Sequence, residues 1–319
     1  MVSTNTNSFA TSGQTAALEC TTVKHICVCI CTYKRPVLLG RLLDHLKVQK
    51  TDSAFTFSVV IADNDEDQSA SGTVEAFAAT SGIDAKYCVE PRQNIALARN
   101  RVVENARGDY LAFIDDDEFP ENDWLLRLYR TCEQYKVDGV LGPVKRHFDD
   151  TPPAWLLKSK FYDRRVNPTG MPVHWLEART GNVLLRREVI APGETPFRPE
   201  YRAGEDQDFF RRKIEDGRHF IWSSDAVAYE VVPPARWKRS YLLRKGLLRG
   251  ATAALQPNCG PFNIAKSCVA VLLYALALPF ALLLGQHVFM TLLVKLCDHL
   301  GKLLAVVGIN PVQEQYVAG

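Results

Sequence analysis

The sequence has almost no net charge and no recognisable export signal. Its 319 residues include 38 Lys and Arg against 36 Asp and Glu, a formal net charge of +2. Because this balance gives no whole-molecule field that would attract nucleic acid, we expect no nucleic-acid partner. The chain opens Met-Val-Ser-Thr-Asn-Thr-Asn, without the basic and apolar segments of a signal peptide. We therefore expect a reducing, cytoplasmic compartment.

The nine cysteines lack the paired spacing of a zinc site or a disulfide framework. Cys27, Cys29 and Cys31 alternate in an apolar run, which on a strand places all three sulfurs on one face. Consecutive positions on one strand face make a poor tetrahedral cage. We interpret these cysteines as small buried hydrophobic side chains rather than zinc ligands.

Strand and helix patterns alternate after a polar arm, residues 1–22, that is predicted to be disordered. This alternation predicts a mostly parallel, Rossmann-like α/β sheet with flanking helices and a ligand crevice at the carboxyl ends of its strands. The predicted strands cover 25–32, 55–62, 85–89, 110–114 and 138–144, and the predicted helices begin near 36, 69, 94 and 120. Residues 145–197 are irregular and are either loop-rich packing or a substrate-facing region.

Four acidic residues, Asp115 to Glu118, follow the strand predicted over 110–114. Adjacent carboxylates repel one another unless water, basic side chains or a cation neutralises them. Mg²⁺ and Mn²⁺ prefer carboxylate oxygen and take further ligands from phosphates and water. The alternative is an acidic loop that caps the next helix. Asp63 follows the strand over 55–62 and is expected at the same sheet edge, which favours a nucleotide-diphosphate site.

A second acidic group, Glu205, Asp206 and Asp208, precedes the apolar pair Phe209 and Phe210. It could be the N-terminus of a helix, where acidic side chains are favourable. It could also supply a carboxylate that acts as a general base. The sequence leaves both interpretations open.

The C-terminal part of the chain differs from the rest. A basic run between Arg236 and Arg249 is either a solvated helix face or a contact for a diphosphate or anionic lipid. It leads into Ser267 to Gly285, which has no formal charge; the apolar segment, counted from about Ile264, is long enough to cross a hydrocarbon core of ~30 Å. We expect a catalytic domain over 23–255 and a membrane-associated helical tail over 256–319.

Six motifs occur in order between about Val23 and Ala254, and together they are more specific than any one of them. They are Cys31-Thr-Tyr-Lys-Arg-Pro, Asp63-Asn-Asp, Asn94-Ile-Ala-Leu-Ala-Arg-Asn, Ile114-Asp-Asp-Asp-Glu-Phe-Pro, Thr180-Gly-Asn and Gly204-Glu-Asp-Gln-Asp. In this combination the sequence resembles the family 2 glycosyltransferases of the GT-A fold. It is similar in particular to bacterial enzymes of exopolysaccharide synthesis, such as those that build succinoglycan.

The resemblance implies an inverting transfer of sugar from a nucleotide sugar, first of all a UDP-sugar, to a hydroxyl of a lipid-linked saccharide. It implies a divalent cation, Mg²⁺ or Mn²⁺, bound by Asp117, and a location at the cytoplasmic face of the bacterial inner membrane. Asp206 matches the base that deprotonates the acceptor. The implied substrate-binding residues are Thr32, Tyr33, Arg35, Asp63, Asn94, Arg99, Asp115, Asp116, Asn182 and Glu205. The segment Tyr229-Glu-Val-Val-Pro-Pro lacks the histidine of many relatives, so the role of Glu230 is left open.

Two other functions compete with this one. A nucleotidyltransferase that makes sugar nucleotides would share the sheet and the substrate class. It needs a glycine-rich phosphate cradle after the first strand, and Cys31-Thr-Tyr-Lys-Arg-Pro contains no glycine. A non-catalytic, membrane-associated nucleotide- or saccharide-binding protein would show no metal-dependent turnover.

Overall fold

The computed structural model describes residues 1, 23–201, 204–254 and 259–309. The arm predicted to be disordered lies, apart from Met1, outside the described residues. The strands are β1 (Lys24–Thr32), β2 (Phe55–Asp63), β3 (Ala85–Val89), β4 (Tyr110–Phe113), β5 (Glu118–Pro120), β6 (Gly139–Leu141), β7 (Val144–His147), β8 (Val183–Arg186), β9 (Phe220–Trp222) and β10 (Ala228–Val231). The α-helices are α1 (Pro36–Lys47), α2 (Ser71–Ser81), α3 (Ile95–Asn105), α4 (Trp124–Tyr135), α5 (Ala154–Ser159), α6 (Glu205–Glu215), α7 (Arg239–Ala254), α8 (Pro261–Leu283) and α9 (Gln286–Val306).

A seven-stranded sheet lies at the centre, in the order β3-β2-β1-β4-β8-β6-β9. All neighbours in it are parallel except β8, which is antiparallel to both β4 and β6. A second sheet, β5-β10-β7, lies beyond the acidic turn. The predicted mostly parallel α/β fold is confirmed.

The central strand β1 has a hydrophobic core on each face. Ile26, Val28 and Ile30 point to the core that contains the leucines of α1 and α4. Cys27 and Cys29 point to the other core, with α3 and α6. The cysteines therefore lie on one face of β1 and pack as small apolar side chains, as the sequence predicted.

Two predicted elements were wrong in detail. Pro120 does not begin a helix; it ends β5, which pairs with β10, and α4 begins at Trp124. The strand expected over 138–144 is two strands, β6 and β7, because Gly142 and Pro143 interrupt it. Both differences arise from pairing with β9 and β10, which lie far later in the chain, as in the pairs Gly139 with Phe220 and Pro120 with Ala228.

Helices α7 to α9 pack against one another, with α9 in contact with both α7 and α8. Glycines let α7 approach α9 closely, since a Cβ on Gly250 would lie 1.9 Å from the carbonyl oxygen of Asp298. Leu156 of α5, Leu242 of α7 and Val294 of α9 share a small core. The domain boundary at 255 stays a prediction, but α7 packs with the helices on the far side of it.

One helix among the described residues, α8, is long and apolar enough to cross a membrane. Few of its residues are buried, and Leu272, Leu276, Phe280 and Leu283 are exposed. Polar groups of α9 face the neighbouring helices: the carboxylate of Asp298 accepts from Arg249 Nε at 2.9 Å, and His299 Nδ1 lies 3.1 Å from Ser267 Oγ.

Candidate active site

The acidic cluster, Asp115 to Glu118, forms the turn between β4 and β5 at the carboxyl edge of the sheet. Asp116, Asp117 and Glu118 are buried, whereas the side chain of Asp115 is 46% exposed. The β5·β10 pairing places Glu230 directly opposite Glu118. Five carboxylates thus meet in a small space, which requires strong compensation.

Arginines from distant parts of the chain supply much of this compensation. Arg35 Nη1 lies 3.1 Å from Asp116 Oδ1 and 3.4 Å from Asp117 Oδ2. Arg236 bridges Asp117 Oδ2 at 3.0 Å and Glu230 Oε1 at 2.9 Å. Water, basic side chains or a cation could neutralise the cluster according to the sequence analysis. In the structure, basic side chains provide part of this neutralisation.

The cluster still perturbs its own acids. Burial raises the pKa of Asp116 to about 7, although Arg35 opposes the shift. Burial also raises the pKa of Glu118 well above its usual range, and the nearby carboxylates of Asp115 and Asp117 add to the effect. At neutral pH the cluster therefore carries less than its full formal charge, and a bound cation would favour full ionisation.

Two residues of the Thr180-Gly-Asn motif, Gly181 and Asn182, have structural roles next to the acidic cluster. A Cβ on Gly181 would lie 2.7 Å from Glu118 Oε1 and 3.0 Å from Asp115 Oδ2, so a side chain there would displace both acids. Asn182 is completely buried; it accepts from Trp124 Nε1 at 2.7 Å and donates to the carbonyls of Pro143 and Ala226. The structure gives Asn182 internal partners rather than an open face for substrate.

A small cleft of about 120 Å³ lies on the β1 side of the cluster, and we call it the nucleotide-side cleft. Its lining residues are Cys31, Thr32, Tyr33, Arg35, Asn64, Ile95 and Asp116. Thr32 Oγ1 donates to Asp116 Oδ2 at 2.8 Å, which ties the end of β1 to the acidic turn. Thr32, Tyr33, Arg35 and Asp116 thus line one cleft, and their contact with a nucleotide stays a prediction.

Asp63 and Asn94, also predicted to bind substrate, mainly hold loops. Asp63 is completely buried, and it accepts from the backbone amides of Asp65 and Ala70 and from the hydroxyl of Tyr87. Asn94 caps α3 by accepting from the amides of Ala96 and Leu97. Direct contact of either residue with a ligand stays a prediction.

The three acids at the start of α6 have different environments. Glu205 is buried and forms an ion pair with Arg99, which also lies 3.5 Å from Asp115. Burial opposes the charge on Arg99, but the carboxylates of Glu205 and Asp115 outweigh it, so the pKa of Arg99 is raised.

Asp208 is likewise buried and accepts from Arg211 and Arg212, both at 2.9 Å. Asp206 is partly exposed, and its Oδ1 accepts a hydrogen bond from the adjacent backbone amide of Gln207 at 2.8 Å. Among the described residues, no basic side chain pairs with it. Within the described ranges, Asp206 is therefore the acid of this group that forms no ion pair.

The carboxylates fit a cation only with help from a ligand. Within the described ranges, no group of three or more His, Cys, Asp or Glu is arranged to hold a metal ion by itself. Asp115 and Asp117 could offer one or two carboxylates, which suits a Mg²⁺- or Mn²⁺-type ion that takes its other ligands from a diphosphate and water. This donor set fits the cation that the resemblance implies.

Several residues of the site were not identified as such from the sequence. Arg236 was only one member of the basic run, yet it contacts Asp117; this is consistent with a diphosphate role for the run. Arg164 lay in the irregular stretch and pairs with Glu230. Glu230 is thus held by two arginines. In the sequence, only their charge could have marked Arg236 and Arg164 as site residues. Their acidic partners are distant in the chain and become apparent only in the fold.

Comparison with known proteins agrees with this geometry. Residues 27–192 match the glycosyl transferase family 2. The chain is 35% identical over 235 residues to the succinoglycan biosynthesis protein ExoM of Rhizobium meliloti (strain 1021), covering 72% of this chain and 74% of that protein. It is 26% identical over 217 residues to the putative glycosyltransferase EpsH of Bacillus subtilis (strain 168), covering 64% and 58%.

Two solved structures share the fold. The mannosyltransferase PcManGT from Pyrobaculum calidifontis, in complex with GDP-Man and Mn²⁺, has a TM-score of 0.56 at 17% identity and covers 89% of this chain and 88% of that one. TarS 1-349 of S. aureus, in complex with UDP, has a TM-score of 0.52 at 18% identity and covers 70% and 65%. The family match and the ExoM similarity together show that this chain belongs to the family 2 glycosyltransferases, with the GT-A type of α/β fold.

Proposed function

We propose that this enzyme is an inverting, metal-dependent glycosyltransferase that acts on a nucleotide sugar, in the first instance a UDP-sugar. The observation that carries the proposal is the pairing of two unlike acidic sites at one sheet edge. Asp117 lies in the buried cluster beside Arg35 and Arg236, where a cation and a diphosphate would compensate one another. Asp206 lies outside the ion pairs that hold Glu205 and Asp208.

In this proposal Asp206 accepts the proton of an acceptor hydroxyl through its free carboxylate oxygen. The hydroxyl oxygen forms a bond to the anomeric carbon while the bond from that carbon to the diphosphate oxygen breaks. Because attack and departure occur on opposite faces, the configuration inverts. A bound cation would stabilise the charge that develops on the diphosphate. Arg35 and Arg236 lie beside Asp117 and would contact the same charge.

Thr32, Tyr33 and Asp116 would bind the nucleotide in the nucleotide-side cleft. The two similar structures are complexes with UDP and with GDP-Man, which supports a nucleotide-sugar donor but does not select the base. The absence of a glycine-rich cradle after β1 and the family match both favour glycosyl transfer over nucleotidyl transfer.

The proposal is tested by donor hydrolysis with added Mn²⁺ across UDP-, GDP- and dTDP-sugars. We expect slow, Mn²⁺-dependent release of nucleotide diphosphate from one class, with UDP-sugars the first to examine. EDTA should abolish the release, and excess Mn²⁺ should restore it. Release that is unaffected by EDTA would contradict the metal dependence, and no release or binding of any donor would contradict the proposed reaction.

We further propose that the acceptor is a lipid-linked saccharide and that the enzyme works at the cytoplasmic face of the inner membrane. Sugar nucleotides are cytoplasmic, and the basic run before α8 follows the positive-inside tendency. Confinement to the leaflet that holds the acceptor would raise the effective acceptor concentration without any new contact.

The membrane role predicts that acids on the exposed face of α8 release the protein. Leu276 and Phe280 are 71% and 67% exposed, so Leu276→Asp with Phe280→Asp should leave the packing intact. Each aspartate costs about 3 kcal/mol at the centre of a spanning helix, so the double variant should move to the soluble fraction. The measurement is fractionation of cell lysates after ultracentrifugation.

The matched control is Val37→Asp with Val48→Asp, two apolar residues on and directly after α1 that are 83% and 54% exposed. This control should stay with the membrane. A wild-type chain that already fractionates as soluble would contradict the membrane role. The double substitution is a sharper test than deletion of α8 and α9, because deletion would also expose the core that α7 shares with α9.

A further inference from the structure

A second cleft, of about 250 Å³, lies on the opposite side of the acidic cluster from the nucleotide-side cleft. We call it the arginine cleft. Its lining residues include Leu141, Arg165, Asn167, Arg179, Gly181 and Trp222. Gly181 also touches the cluster, because a Cβ there would meet Glu118 and Asp115. The cleft therefore adjoins the place where the reaction occurs in the proposed function.

The wall of this cleft contains polar groups that the protein itself does not satisfy. Trp222 is 8% exposed and Asn167 is 3% exposed. Within the described part of the chain, the indole Nε1 of Trp222, a donor, and the amide Oδ1 of Asn167, an acceptor, have no hydrogen-bond partner. Buried polar groups usually have partners. An unpaired donor and acceptor beside an aromatic ring and the apolar Leu141 match the hydroxyls and the apolar face of a sugar.

Two arginines in the same wall have no carboxylate partner. Arg164 pairs with Glu230, but neither Arg165 nor Arg179 forms an ion pair within the described part of the chain. Elsewhere around the cluster, Arg35, Arg99 and Arg236 each contact an acid. Of the residues that line the cleft, Glu177 is the one acid, and Asn167 Nδ2 donates to its Oε2 at 3.1 Å. The residues that line the cleft thus include three arginines and one acid.

We propose that the arginine cleft binds the acceptor sugar and that this sugar carries a negative charge on, or directly next to, the ring that reacts. This inference rests on the proposed function, because the acceptor hydroxyl must face the donor site. Arg165 and Arg179 would contact the anion, and Trp222 and Asn167 would contact the ring. The anion is either a carboxylate on the sugar, as in a uronic acid, or the phosphate that links the sugar to its carrier. Guanidinium groups bind both of these anions well.

The test compares three soluble acceptors with the full-length enzyme, Mn²⁺ and the donor that the hydrolysis screen selects. They are a 4-nitrophenyl glucoside, the matching 4-nitrophenyl glucuronide and glucose 1-phosphate. Binding is measured by saturation-transfer NMR titration, and transfer is measured by mass spectrometry. We expect at least one anionic acceptor to bind about tenfold more tightly than the neutral glucoside, which is a typical effect of one charge-assisted contact.

The double variant Arg165→Gln, Arg179→Gln should remove most of that preference and leave donor hydrolysis unchanged. Both side chains are exposed, so the variant should fold, which thermal unfolding checks. The control is Arg130→Gln, a 61% exposed arginine that pairs with Asp52 far from the cleft. Preference for the glucuronide assigns the carboxylate, and preference for glucose 1-phosphate assigns the carrier phosphate.

Equal binding of all three acceptors, or a preference that survives the double variant, would overturn the inference. Either result, together with normal donor hydrolysis, would leave the proposed glycosyl transfer intact. Failure of donor binding and hydrolysis would instead count against the proposed function itself. The two failures are therefore distinguishable.

Discussion

Replacing Asp206 with asparagine is expected to lower sugar transfer by about 10³-fold, the usual contribution of a positioned general base. The amide keeps the size of the side chain and can still accept the hydrogen bond from Gln207, but it cannot take up the proton of the acceptor. Donor affinity should change little, because Arg99, whose charge Asp206 helps to stabilise, keeps its ion pair with Glu205. The measurement is kcat for transfer beside the Kd for UDP with Mn²⁺.

The matched control is Glu215→Gln, at the other end of the same helix. Glu215 is 61% exposed and contacts Arg211 on the surface. The same loss of charge on α6 should therefore leave transfer near normal. An Asp206→Asn enzyme with near-normal transfer would sink the assignment, and the role would pass to a carboxylate that the fold holds in an ion pair.

The fold offers a physical reason for the proposed base, Asp206, which the sequence named only through its resemblance to the family. Glu205, Asp206 and Asp208 are equivalent acids when they are read along the chain. The α6 helix turns Glu205 towards Arg99 of α3 and Asp208 towards Arg211 and Arg212 of the following turn. Proton uptake by Glu205 or Asp208 would break the ion pair that holds it, although burial raises the pKa of Glu205. Partner geometry, and not residue type, distinguishes the three.

The parallel core of the fold was predictable because its signals are local. The apolar run of β1 and the helical spacing of leucines in α1 lie within single windows of the sequence. The strand β8 was missed because it is four residues long and pairs antiparallel with β4 and β6, which are distant in the chain. The break between β6 and β7 depends equally on distant partners.

The candidate site was predictable to the level of its motifs, but not of each side chain. Motif positions include residues that meet a ligand and residues that hold a loop, and both kinds are polar. Asn182 satisfies Trp124 Nε1 and two backbone carbonyls, and Asn94 caps α3. Arg236 had no motif, yet it bridges Asp117 and Glu230. Electrostatic partners of this kind depend on chain crossings that a one-dimensional pattern does not contain.

The second large effect is expected for Asp117→Asn, which should abolish the gain in UDP affinity that Mn²⁺ provides. If Asp117 binds the cation that bridges to the diphosphate, loss of its charge removes a ligand. Mutation of residues that only hydrogen-bond to a metal ligand typically costs about 10- to 100-fold in metal affinity, so loss of the ligand itself should cost at least that much. Affinity for UDP without Mn²⁺ should change little, because Thr32 and Tyr33 of the nucleotide-side cleft are untouched.

The same substitution should not unfold the protein. Arg35 would still form its ion pair with Asp116, and Arg236 would still form its ion pair with Glu230, so neither partly buried guanidinium is left without a carboxylate. Removing one charge also reduces the repulsion among the carboxylates of the acidic cluster, so the melting temperature should stay within a few degrees of the wild type. The control is Asp123→Asn, which removes an equal charge from a carboxylate that pairs with Arg127 on α4. Calorimetric titration of UDP with and without Mn²⁺ measures both variants, and a full Mn²⁺ gain in Asp117→Asn would show that the cation is held elsewhere.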